Sequence, residues 1–345
     1  MQDPFLPAEW APQSATMLTW PHPHGDWAPW LKSVEPVFCK IAYHITQRQK
    51  LIISCYDNLH LAHVKNQLKE KGCDLNQVQL YVVPSNDSWA RDHGPITVIQ
   101  NGRPCLLDFQ FNGWGKKYES RQDNAITQAL HRSNAFGNTI IKNLDLVLEG
   151  GGIESDGQGT LLTSQCLLTP TRNPLLDKQG IEQTLAETLG IKHFLWLNNG
   201  HLQGDDTDGH IDTLARFCDE NTICYVSCDN PGDPHYNALQ AMRKELAAFR
   251  TQKGQAYRLI PLPMAKAIYN EDGIRLPATY ANFLIINNAI LAPVYDDARH
   301  DDIAIRTLAE CFPDRDIIAI NCVPLVQQYG SLHCVTMQLP TGVLQ

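Results

Sequence analysis

The chain runs to 345 residues, of which 43% are hydrophobic and 19% charged. That is ample material for a large buried core, and it excludes a disordered polypeptide. With 28 Lys and Arg against 37 Asp and Glu the formal charge is −9, and no basic block stands out. A dedicated binder of nucleic acid or anionic membrane is therefore not expected, whereas a cationic small molecule is compatible with the balance.

The opening Met1-Gln2-Asp3-Pro4 has no basic region followed by an apolar run, so no secretory leader is expected. The most apolar stretches, 283–294 and 317–326, are interrupted by Asn287, Asn288, Pro293, Asn321 and Pro324. They fall short of the roughly 20 apolar residues of a membrane span. The 11 cysteines are an odd number without a C-x-x-C pair, and Cys218, Cys224 and Cys228 lack zinc-type spacing. They read as buried thiols in a reducing compartment, so a cytoplasmic, metal-independent protein is expected.

In chain order, β-type runs are expected at 17–20, 50–55, 79–83, 96–99, 104–109, 160–163, 192–197, 222–226, 281–286, 289–294 and 316–320. Helical spacing falls between many of them, first at 30–46, where Leu31, Val34, Val37, Phe38, Ile41 and Ile45 form one stripe. Further helices are expected at 58–71, 177–189, 234–249 and 297–311. Asp177 and Asp297 suit helix N-caps, and Gly72 and Gly190 suit helix ends. This alternation gives an α/β class. No linker or composition break divides the chain, so residues 1–345 are expected to form one domain. A strand–strand–helix–strand rhythm returns at a unit of roughly 60–70 residues if it closes a ring.

Four polar clusters carry the chemistry. They are Ser85-Asn86-Asp87-Ser88-Trp89-Ala90-Arg91-Asp92-His93-Gly94-Pro95, Leu148-Glu149-Gly150-Gly151-Gly152-Ile153-Glu154-Ser155-Asp156-Gly157, Gly204-Asp205-Asp206-Thr207-Asp208-Gly209-His210-Ile211-Asp212-Thr213 and Tyr329-Gly330-Ser331-Leu332-His333-Cys334-Val335-Thr336. Singly each has a plain explanation. The three glycines lack the spacing of a phosphate cradle, and the aspartate run lacks the twelve-residue calcium loop with its closing Glu. His210-x-Asp212 and His22-x-His24 are each at most half a metal site. Together they suit a guanidinium, a planar permanent cation that carboxylates bind with paired hydrogen bonds. Asp92 and Asp212 can hold it, Cys334 can attack it, His210 can shuttle protons, and Glu149 can orient His210.

The same stretches resemble the agmatine deiminases of the peptidyl-arginine-deiminase-like family, within the guanidino-group-modifying pentein superfamily. The resemblance rests on Leu6-Pro7-Ala8-Glu9-Trp10, Thr19-Trp20-Pro21-His22, Trp89-Ala90-Arg91-Asp92-His93-Gly94-Pro95 and Leu148-Glu149-Gly150-Gly151-Gly152-Ile153. It continues through Asp208-Gly209-His210-Ile211-Asp212, Leu276-Pro277-Ala278-Thr279-Tyr280-Ala281-Asn282-Phe283 and Gly330-Ser331-Leu332-His333-Cys334. It implies a five-fold pseudosymmetric α/β propeller of ββαβ-type units around a central site. Carried over by motif, Cys334 is the nucleophile and His210 the general acid and base. Asp92 and Asp212 hold the guanidinium, and Glu149 opens the glycine-rich turn. The implied reaction, placed in polyamine biosynthesis or agmatine degradation, turns agmatine and water into N-carbamoylputrescine and ammonia through a covalent amidino-thioether, with no cofactor and no metal.

For the substrate's tail, Asp206 is the candidate for the distal ammonium, and Trp89, Trp114 and Gly151 are expected to line the site. Arg91, Lys116 and Lys117 would favour an arginine-type carboxylate if they pointed inward. The family's run Gly-Gly-Gly-Asn-Ile-His-Cys is replaced here by Tyr329-Gly330-Ser331-Leu332-His333-Cys334, which leaves the chemistry intact but alters a wall. The alternatives are a deiminase of arginine or peptidyl-arginine, an amidinotransferase of the same superfamily, and a non-enzymatic binding module. A metal-dependent amidohydrolase using His22, His24, His210 and Asp212 is the rival from a different class. A homo-oligomer is compatible with the sequence, which fixes no stoichiometry.

Overall fold

A computed structural model describes residues 3–344, in which the strands pair into five small mixed sheets. The first begins with β1 (Gln13–Thr19), followed by α1 (Leu31–Thr46), β2 (Lys50–Cys55), α2 (Asn58–Glu70) and β3 (Val78–Val82). Each helix carries the chain back across the sheet, so β1, β2 and β3 run parallel. The stripe foreseen on α1 is what seats it, since Val34, Phe38, Ile41 and Ile45 are fully buried.

A short helix, α3 (Ala90–His93), then leads into a hairpin of β4 (Ile96–Gln100) and β5 (Arg103–Gln110). Helices α4 (Gly113–Lys116) and α5 (Ile126–Arg132) return the chain to β6 (Ile140–Val147), parallel to β5. The order repeats with β7 (Ile153–Ser155), β8 (Thr160–Ser164), α6 (Lys178–Leu189) and β9 (His193–Leu197). It repeats again with β10 (Ala215–Asp219), β11 (Thr222–Val226), α7 (Tyr236–Ala248) and β12 (Arg258–Leu262). The last round is β13 (Leu284–Ile286), β14 (Ala289–Val294), α8 (Ala298–Cys311) and β15 (Asp316–Asn321). A helical turn, α9 (Val323–Val326), precedes β16 (Thr336–Pro340), which pairs antiparallel with β1. Every sheet thus contains an antiparallel pair whose second strand is joined through a helix to a parallel neighbour.

The expected caps are in place. Asp177 accepts the Gly180 amide and Asp297 the His300 amide, and Gly190 ends α6 at φ 73°. The expected strand at 281–286 is shorter, because Ala281 and Asn282 turn on the Thr279 side chain before β13 begins. Several strands do not stand out in the sequence. β6 and β12 are edge strands with exposed charged residues, and β7 and β10 each bury a charge, Glu154 and Arg216, that pair at 2.8 Å.

Candidate active site

The loop that leaves the third strand of each repeat and enters the next pair carries the polar clusters. Asp92 follows β3, Glu149 follows β6, and His210 and Asp212 follow β9. Asn282 follows β12, and Cys334 follows β15. Strands set where the loops start and end, and the loops are left to present side chains.

These side chains converge. His210 Nε2 donates to Glu149 Oε2 at 3.3 Å, while its Nδ1 lies 3.6 Å from Asp92 Oδ1. The Cys334 thiol donates to Asn282 Oδ1 at 3.4 Å and stands 3.9 Å from Asp212 Oδ2. Gly151 lies between the two groups. A Cβ there would fall 2.5 Å from His210 Nδ1, 2.8 Å from Asp92 Oδ1 and 3.2 Å from Asp212 Oδ2, so only glycine leaves room for all three. These contacts hold imidazole and thiol within about 10 Å, close enough for one small molecule to bridge them.

Asp92 is fixed from two sides, accepting the Trp114 indole N–H at 2.9 Å and the Gly151 amide at 2.9 Å. Glu149 is wholly buried and receives Arg172 Nε on both oxygens, at 2.9 and 2.7 Å. Arg172 Nη1 also reaches Asp208 at 2.7 Å. Asp212 is wholly buried as well. Its Oδ2 meets His333 Nδ1 at 2.7 Å, while its Oδ1 has no hydrogen-bond partner among the described residues. Leaving a buried carboxylate oxygen unpaired is costly, so this oxygen is poised to accept a donor brought from outside.

The electrostatics divide the residues into charged and neutral groups. Burial pushes Asp92 up to about 6 even with His210 beside it. Burial also opposes the His210 charge, but Asp92, Glu149 and Asp212 outweigh it and raise the imidazolium to about 9. Glu149 and Asp212 stay below the usual carboxylate range despite burial, through His210 and Arg172 for the former and His333 for the latter. The Cys334 thiol is driven well above its ordinary range by burial and then by the charges of Asp212 and Asp92.

A cleft of about 500 Å³, counted with its open mouth, reaches Asp92 and Cys334. His210, Glu149 and Asp212 stand behind them, outside its lining. Trp89 and Trp114, expected at the site, both line it, as does Asp206, whose Oδ2 accepts the Tyr118 hydroxyl at 2.7 Å. Asp26, Asp87 and Asp205 join them, and neither Lys nor Arg is among the described lining residues. Arg91 is turned away, toward Gln338 Oε1 and the carboxylate of Glu9 at 3.8 Å. Lys117 is tied to the Asp206 carbonyl and to Asp208 Oδ1 at 2.8 Å.

His22 packs against the Tyr56 ring and bonds the Ser85 carbonyl at 3.1 Å, so its ring nitrogen is committed to structure. His24 belongs to a separate depression with His60 and His63. Among the described residues no three His, Cys, Asp or Glu side chains are grouped as a metal site, and no helix is long and apolar enough to cross a membrane.

Residues 5–340 match the family profile of the Porphyromonas-type peptidyl-arginine deiminases. The chain belongs to that family. A solved structure from Porphyromonas gingivalis, provisionally named an arginine deiminase, is similar with a TM-score of 0.93 and 49% identity, covering 99% of this chain and 100% of that one. The C. jejuni agmatine deiminase, solved as a cysteine-to-serine variant with substrate bound, has a TM-score of 0.90 and 37% identity over 99% of this chain and 98% of that one. A Shewanella baltica protein, provisionally named an agmatine deiminase, is 32% identical over 98% of this chain and 94% of its own.

Within this family member, several site residues escape a reading of the sequence for reactive groups. Asn282 and Glu9 both lie in the stretches that carry the family resemblance, at Leu276-Pro277-Ala278-Thr279-Tyr280-Ala281-Asn282-Phe283 and Leu6-Pro7-Ala8-Glu9-Trp10, but neither side chain suggests chemistry by itself. Arg172 lies in Pro170-Thr171-Arg172-Asn173-Pro174, an ordinary turn in sequence. Only its bidentate contact with Glu149 shows what it does.

Proposed function

We propose that the protein deiminates agmatine, giving N-carbamoylputrescine and ammonia through a covalent intermediate on Cys334. The observation that carries this reading is the cleft itself. Its inner end has a thiol and a carboxylate, with the Asp212 carboxylate, one oxygen of which has no partner among the described residues, behind the thiol, and its walls carry four aspartates without a Lys or Arg among the described residues. A guanidinium with a second cation at the far end of a short aliphatic chain matches that charge pattern. A substrate carboxylate would be desolvated beside Asp206 with nothing to pair it.

Asp92 and Asp212 take the guanidinium N–H groups. Burial does most to raise the Cys334 pKa and the two carboxylates add to it; the incoming positive charge offsets both, so the thiol ionises as substrate arrives and its proton leaves to solvent. The thiolate forms a C–S bond to the guanidinium carbon. The C–N bond then breaks as the His210 imidazolium gives its proton to the departing nitrogen, which leaves as ammonia. Neutral His210 next takes a proton from water as its oxygen attacks, the C–S bond breaks, and the proton left on that oxygen passes to the departing sulfur, so that the urea-type product leaves neutral and the thiol is restored. We extend the repeated strand order to a closed five-fold propeller of one catalytic domain, with the five loops meeting at its axis. Eleven unpaired cysteines suit a reducing compartment such as the cytoplasm.

A second reading, deimination of arginine, is favoured by the provisional name of the 49% identical structure. Ammonia release from agmatine, arginine and peptidyl-arginine, measured side by side, separates the two. Agmatine is expected to win in kcat/KM by a factor of about 10³ or more, because an unpaired buried carboxylate is heavily penalised. Better turnover of arginine would overturn the assignment.

The pH profile follows from the charge states. Asp92 must be ionised to bind and His210 protonated to release ammonia. Accordingly, kcat/KM is expected to rise through about 6 and fall through about 9. Initial rates in constant-ionic-strength buffers check it. A rise through the alkaline limb would mean that free-enzyme thiolate, not substrate-induced ionisation, limits the reaction.

A further inference from the structure

Asp212 is positioned by a second layer that reaches the opposite end of the sequence. His333 sits between two carboxylates, with Nδ1 2.7 Å from Asp212 Oδ2 and Nε2 2.7 Å from Glu9 Oε2. Each contact needs a proton between nitrogen and oxygen, so the ring serves both as donor. Glu9 is itself locked, accepting Arg216 Nη2 at 2.7 Å on Oε2 and the Ile285 amide at 2.7 Å on Oε1. Arg216 continues to Glu154 at 2.8 Å. His333, Glu9 and Arg216 are buried, and none lines the substrate cleft.

Adjacent residues at the floor of the site point to opposite sides. Asp92 and Cys334 face the cleft. Arg91 and Gly150 instead line a second depression that also contains Glu9 and Glu154. His333, next to Cys334, lies between Asp212 and Glu9, with one nitrogen on each carboxylate. Asn282 closes the arrangement, donating to the Asp212 carbonyl at 3.3 Å and accepting the His333 amide at 2.9 Å.

We infer that His333 and Glu9 are positioning residues for substrate capture: they hold Asp212 by one oxygen so that the other points at the guanidinium. The inference rests on the deiminase reading above. A partial rotation of the Asp212 carboxylate would swing the free oxygen out of line with the guanidinium and weaken the substrate contact. His333 prevents that, and Glu9 prevents the ring from turning. Because the contact is made as soon as substrate binds, its loss acts on KM more than on kcat.

The test uses the full chain and three variants, with agmatine as the probe. His333→Leu removes both donors and is expected to raise KM about 10- to 100-fold with a much smaller fall in kcat, the range for a hydrogen bond to a charged group. His333→Asn places an amide N–H where Nδ1 was and is expected to recover most of that loss. Glu9→Gln raises KM in the same direction by about 3- to 10-fold, since one anchor of the ring is weakened. An agmatine titration in the Cys334→Ala background should show the same losses in affinity. If KM is unchanged in His333→Leu, or Asn restores nothing, the pair is a structural tie and the inference falls. If His333→Leu does not fold, His333→Asn and Glu9→Gln decide alone: an unchanged KM in Glu9→Gln overturns it. A wild-type protein idle on every guanidine would instead sink the deiminase reading, an outcome the wild-type arm reveals separately.

Discussion

Cys334→Ala is expected to lower ammonia release from agmatine by a factor of about 10⁴–10⁶, the scale of losing a nucleophile that works as one unit with its acid and base. Binding should survive. Asp92 and Asp212 would still offer their carboxylates, and alanine removes the thiol without placing a new group beside them. Calorimetric titration with agmatine would thus give a measurable affinity in a variant with no turnover, and mass spectrometry would find no covalent adduct. The other buried thiols are poor substitutes. Burial raises Cys39, Cys55 and Cys166 to about 12, and none of these lines the cleft. Turnover within tenfold of wild type would remove the covalent mechanism, whatever the substrate.

How legible each feature is in the sequence depends on how locally it is encoded. Helix α1 has an apolar stripe and α6 has both of its caps, so their bounds fall within a residue of the expectation. β7 and β10 depend on partners. Glu154 and Arg216 are buried together, and a short strand carrying a charge has no apolar alternation to display. The same division holds at the site. Cys334, His210, Asp92, Asp212 and Glu149 are reactive residues in glycine-rich or polar clusters, and they draw attention individually. Asn282, Arg172, His333 and Glu9 act through the atoms they hold, and sequence distance hides them: His333 and Glu9 are 324 residues apart. The acid character of the cleft is half visible in the sequence. Asp206 stands in an obvious acidic run, but Asp26 and Asp87 reach the same wall from other loops. That Lys117 is tied to Asp208, and Arg91 turned toward Gln338, is a matter of side-chain direction and has no sequence signature.

The glycine-rich turn allows the geometry to be tested without removing any reactive group. Gly151→Ala adds one methyl where His210, Asp92 and Asp212 meet, at 2.5 Å from the imidazole and 2.8 Å from the first carboxylate. Contacts below 3.0 Å do not persist, so something moves. The imidazole cannot swing freely, because Glu149 holds its other nitrogen and Arg172 holds Glu149. Nor can Asp92, which is held by Trp114. Both are therefore displaced against their supports by a fraction of an ångström to an ångström. Misplacement on that scale is expected to reduce kcat/KM by about 10²–10³, with a stability loss of only about 1–3 kcal/mol. Gly102→Ala, in the β4–β5 turn, is the control. Its φ of +72° makes an alanine strained, yet nothing lies within 4 Å of the new methyl. Thermal melts should show a comparable stability loss in both variants, and ammonia assays a large activity loss in Gly151→Ala alone. A Gly151→Ala protein with wild-type kcat/KM would mean that turnover does not require the acid, the base and the two carboxylates to close over this one residue.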